Sequence, residues 1–89
     1  MDDEWMARGM ATEFLQRGMQ GDKTSLNEAF KLYTMLMEKN PNETFYLSNL
    51  MMICSIKKDY EGALKFAYML KNMGEENIDD VISEYEKKI

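Results

Sequence analysis

Apolar residues along this chain recur every three or four positions, and Gly and Pro cut the recurrence into five segments. The pattern predicts helices over about 3–19, 25–39, 42–57, 60–73 and 78–88. In the first, Met6, Met10 and Phe14 fall at i, i+4 and i+8 with Ala7, Ala11 and Leu15 beside them, which reads as one wide inward stripe. Gln20 to Lys23 reads as a turn around Gly21. Ser25, with Glu28 three residues on, predicts a capping box at the start of the second helix. Its stripe is Leu26, Ala29, Phe30, Tyr33, Leu36 and Met37, and Asn40-Pro41 ends it, because Pro disfavours helix at the residue before it.

The third segment carries Leu47, Leu50, Met51 and Cys54 inward, widened by Tyr46, Ile53 and Ile56. Asp59 is the expected cap of the fourth, whose inward residues are Tyr60, Ala63, Leu64, Ala67 and Leu70. Gly74 suits the left-handed conformation that closes it. The fifth opens at Asn77 and has one apolar stripe, Ile78, Val81, Ile82, Tyr85 and Ile89, as a terminal covering helix would. None of the five alternates like a strand. The expected class is all-α, one helical domain over 1–89.

Ala29 and Ala63 stand 34 residues apart, and at the same offset Leu26 matches Tyr60, Phe30 matches Leu64 and Leu36 matches Leu70. The segment Asp59-Tyr60-Glu61-Gly62-Ala63-Leu64 resembles the turn and second-helix start of a tetratricopeptide repeat. That family sets an aromatic three residues before a small Ala, as Tyr60 and Ala63 stand here. Ala29, Tyr33 and Pro41 fit the earlier unit's Ala, the aromatic four later and the terminal Pro twelve later. In the later unit Glu75 takes the place of that Pro. The resemblance covers Ser25 to Gly74 and implies two repeats with a capping helix, in an antiparallel helix-turn-helix array. A small helical bundle without repeats is the alternative fold.

Sixteen acids against eleven bases give a net charge of −5, which counts against nucleic acid as a partner. The longest apolar run, Leu50 to Cys54, is too short to span a bilayer, and the opening Asp2-Asp3-Glu4 is unlike a secretion signal. The expected location is the cytoplasm. With no His, a single Cys and no Gly-rich phosphate loop, the chain offers no constellation for catalysis, metal or cofactor. Adjacent acids such as Asp79-Asp80 point in different directions on a helix, so they read as solvated caps rather than a catalytic pair.

The resemblance implies instead a binding role, in which the first helix of a repeat lines a groove for a peptide or helix of another protein. By position that line is Phe45, Ser48, Asn49, Met52, Ser55 and Ile56, and a competing reading packs the same line against the first or fifth helix. A carboxylate clamp of the kind some family members carry is not supported, since Asp79 and Ser83 stand where its bases would fall. Ten methionines are expected mostly in the core, with Met52 and Met10 facing out. Two further readings stay open: a small acidic inhibitor or regulator occupying a basic surface of another protein, one that binds nucleic acid being an example, and a homodimer through the Trp5 to Phe14 helix.

Overall fold

A computed structural model describes residues 3–89 and contains five α-helices. They are α1 (Asp3–Met19), α2 (Lys23–Lys39), α3 (Thr44–Ile56), α4 (Tyr60–Asn72) and α5 (Ile78–Glu86), and no strand occurs among the described residues. The chain is all-α. The helices fall into two compact units, one ending at Pro41 and the other running from Asn42 to Ile89.

In the first unit α1 packs on α2. Ala11, Leu15 and Gly18 of α1 are buried, as are Ser25, Leu26, Ala29, Tyr33 and Leu36 of α2. The fully buried Tyr33 keeps its hydroxyl satisfied at 3.3 Å from Thr12 Oγ1. The wide stripe expected on α1 does not form: Met6 is 54% and Met10 51% exposed. Only the small residues and Leu15 face inward, because the two helices come too close for longer side chains.

Gly18 marks that approach. A Cβ placed on it would lie 2.8 Å from Leu26 Cβ and 2.9 Å from Leu26 Cα. Backbone cannot yield cheaply, so Gly18→Ala should destabilise the hairpin by about 1–3 kcal/mol through overpacking. The gain in helix propensity of about 1 kcal/mol offsets only part of this. Urea melts of the two proteins check it, and an Ala variant more stable than the wild type by the full propensity gain of about 1 kcal/mol would refute the close approach.

The start of α2 corrects the expected capping box. Asp22, not Ser25, is the N-cap: its carboxylate accepts from Ser25 N at 3.1 Å and from Ser25 Oγ at 2.8 Å. Glu28, the expected box partner, instead lies 3.6 Å from Lys31. A charged acceptor taking two hydrogen bonds outcompetes a neutral hydroxyl, and it sits at the positive end of the helix dipole. The same bonds, the Ser25 N–H foremost, hold the Asp22 carboxyl below its ordinary pKa. Its stabilising effect is therefore present above the unfolded value near 3.8 and fades as pH falls through the lower, folded one. Asp22→Ala should lower the urea midpoint at neutral pH and lower it by less once the Asp22 carboxyl is protonated in acid, where only a neutral acceptor is left to cap the helix. An Asp22→Ala midpoint equal to that of the wild type at neutral pH would contradict the cap.

In the second unit α4 packs on α3 and α5 on α4. Asp59 caps α4 as expected, accepting from Gly62 N at 3.0 Å. The turns before α2 and α4 share one design. Each first helix ends on a left-handed residue, Gly21 (φ +111°) or Lys58 (φ +62°), followed at once by the capping Asp. The capping N–H reaches back five residues, from Asp22 to Arg17 O at 3.1 Å and from Asp59 to Cys54 O at 2.8 Å. These turns lie 37 positions apart (59 − 22 = 37), against 34 for the paired alanines. Helix α2 thus starts three residues earlier relative to its Ala, nearly one helical turn, so Ala29 and Ala63 still both face inward and are fully buried.

Helix α5 ends at Glu86, short of the expected 88, and Ile78 and Ile82 are its buried residues. Val81 and Tyr85 are half-buried. Ile89, expected on the same stripe, lies beyond the helix and is exposed. Three contacts pin α5 to α4: Lys71 to Asp79 at 3.0 Å, Tyr68 Oη donating to Glu86 at 3.1 Å, and the Tyr60 and Tyr85 rings 6.0 Å apart.

Candidate protein-binding surface

Helix α3 begins at Thr44, two residues later than expected, after the turn at Pro41 and Asn42. Its N-cap Glu43 makes no side-chain capping bond, so the helix is held mainly by what it buries. Tyr46, Leu47, Leu50, Ile53 and Cys54 are all buried, the first four completely. Met51, expected among them, is half-buried, and Ile56 belongs to the other face. Burial pushes the Cys54 thiol pKa up, which keeps it protonated and suits a core residue.

The six residues of the sequence-predicted line share the remaining face of α3. Phe45 is 42% and Ile56 40% exposed, while Ser48, Asn49, Met52 and Ser55 are half-buried. Phe45, Asn49, Met52 and Ile56 fall at i, i+4, i+7 and i+11, one continuous stripe along the helix. Phe45 is steadied at its upper end by an edge-on contact with the buried Tyr46 ring, centroids 5.9 Å apart. This ring geometry favours a fixed side chain over a freely rotating one.

Asn49, at the middle of the stripe, is the irregular member. Its Nδ2 is closed off from solvent and has no hydrogen-bond partner among the described residues. Leaving such a donor unpaired costs about 1–3 kcal/mol, more than a well-made hydrogen bond usually contributes. An Asn at this position works against the fold.

The methionines correct the expectation of a Met-filled core. Met1 lies outside the described residues, and none of the others is buried. Met6, Met10, Met19, Met35 and Met73 are exposed. Helical spacing alone misled, because α1 carries apolar residues on two faces and only one of them meets α2.

Of the acidic positions behind the regulator reading, Asp2 lies outside the described residues. Asp79 is engaged by Lys71, whose pKa that contact raises. Among the described residues no group of three or more carboxylate or thiol side chains is placed to hold a metal ion. No helix among them is long and apolar enough to cross a membrane.

Neither a family model, a curated protein nor a solved structure matches this chain.

Proposed function

We propose that this chain is a non-enzymatic protein-interaction module of tetratricopeptide-like construction, and that α3 receives an apolar peptide or helix of another protein. Phe45, Met52 and Ile56 would provide the apolar contacts, with Ser48, Asn49 and Ser55 as polar ones. The observation that carries the reading is Asn49: a donor without a partner sits at the centre of a half-exposed apolar stripe. Because Nδ2 has no partner where it lies, turning it outward to a ligand carbonyl sacrifices no Nδ2 hydrogen bond. Flexible Met52 can adapt to the shape of what arrives.

This predicts an opposition between stability and binding. Asn49→Leu keeps the side-chain size and removes the unsatisfied donor, so it should stabilise the fold by about 1 kcal/mol. The same change should weaken binding of peptides selected from a random displayed library on the wild-type protein. Urea melts and peptide titrations of the two proteins read both quantities. An Asn49→Leu protein that is less stable, or that binds those peptides as tightly as the wild type, would remove Asn49 from the site.

A further inference from the structure

Helix α1 carries a second apolar line that its own hairpin leaves uncovered. Asp3, Met6, Met10, Phe14 and Arg17 are spaced 3, 4, 4 and 3, and at 100° per residue they fall within an arc of about 80°. Asp3, Met6, Met10 and Arg17 are exposed, and Phe14 is half-buried. The inward residues Ala11, Leu15 and Gly18 lie on the neighbouring face, so this line is separate from the packing of α1 on α2.

The line is symmetric about Met10 in position and antisymmetric in charge. Met6 and Phe14 stand four residues to either side, and Asp3 and Arg17 seven. Two copies of α1 running antiparallel through a two-fold axis at Met10 would set Met6 against Phe14 twice and Met10 against itself. Asp3 of each copy would then face Arg17 of the other. A parallel pair would oppose Asp3 to Asp3 and Arg17 to Arg17, like charge to like.

The surface has the relief that such a pair needs. Met10, Glu13, Phe14 and Arg17 line one shallow depression, and these are positions i, i+3, i+4 and i+7. That diamond is the hole into which a facing helix inserts a knob. Under the two-fold axis at Met10, the side chain brought to it is Met6 of the second copy. Arg17 already bonds Glu13 at 2.7 Å and lies over the Phe14 ring at 5.9 Å, which holds the rim of the hole in shape. Its fork has donors left for a second carboxylate.

We propose that α1 is a self-association surface, and that its occupant is α1 of a second copy of this chain in an antiparallel two-fold pair. The contact is isologous, so it closes at two chains. One helix face is smaller than the roughly 800 Å² per partner of a standard interface, so the dimer is dissociable. This surface is independent of the line on α3.

Sedimentation equilibrium on the full chain, from micromolar to millimolar protein, tests the association. The wild type should pass reversibly from monomer to dimer. Met10→Lys, at an exposed position, should keep the wild-type melting curve while raising the dimer dissociation constant roughly a hundredfold, since the axis counts each substitution twice. Cross-linking tests the orientation. Met6→Cys mixed with Phe14→Cys should give a disulfide-linked dimer under mild oxidation, whereas Met6→Cys alone should not. The buried Cys54 thiol of the wild type serves as the unreactive control. A wild type that stays monomeric at millimolar concentration, or a dimer untouched by Met10→Lys, overturns the proposal. Efficient linkage of Met6→Cys to itself overturns the antiparallel pairing.

Discussion

Replacing Phe45 and Met52 together with Ser should cut binding of a wild-type-selected peptide by well over tenfold while leaving the protein folded. Each side chain is a candidate anchor, and one buried anchor commonly contributes roughly 2 kcal/mol or more to binding. Both are only partly buried in the free chain, so their loss should lower stability by less than about 2 kcal/mol together. Leu50→Ala, on the opposite face of the same helix, should show the reverse. Leu50 is fully buried, and its truncation leaves a cavity costing about 2–5 kcal/mol. Peptide titration and urea unfolding of both variants separate the two faces. If the Phe45/Met52 double variant unfolds, these residues are core. If it folds and binds normally, the ligand uses another surface.

Deleting Ile78 to Ile89 should abolish cooperative unfolding or drive the protein to aggregate. The deletion removes Ile78 and Ile82 from the interface with α4 and uncovers the apolar surface that α5 packs against. It also strips Lys71 of Asp79, Tyr68 of Glu86 and Tyr60 of its ring partner Tyr85. The two polar contacts are exposed and contribute little, so the loss comes chiefly from the two isoleucines and the half-buried Tyr85. An exposed apolar face of this kind invites association with other chains. Size-exclusion chromatography and circular-dichroism melts provide the test. A soluble truncated monomer with an unchanged melting curve would show that α5 is not a cover.

The helices were legible because apolar spacing, Gly21, Pro41 and Gly74 all agree on where segments start and stop. The division of α3 into a buried and a half-exposed stripe was legible too, since Leu47, Leu50 and Cys54 and the line through Phe45 and Met52 occupy different sides of one helical wheel. Three things were not. Ser25 and Asp22 are both good capping residues, and spacing alone cannot say which one the chain uses; the hydrogen bonds from Ser25 decide for Asp22. The run of small residues Ala11 and Gly18 on either side of Leu15 was the signal that α1 meets α2 closely, but Met6, Met10 and Phe14 form the more apolar stripe and masked it. The orphaned Asn49 amide could not be read at all, because whether a donor finds a partner depends on its neighbours in space and not on its own spacing.

The most direct measurement is a nuclear magnetic resonance titration of the isotopically labelled wild-type chain with one selected peptide. The proposed function predicts that the largest shift changes fall on Phe45, Ser48, Asn49, Met52, Ser55 and Ile56, with the Asn49 side-chain amide moving strongly as it gains an acceptor. Saturating changes confined to the Met6, Met10 and Phe14 line of α1, or to the acidic start of α5, with α3 unmoved, would contradict it.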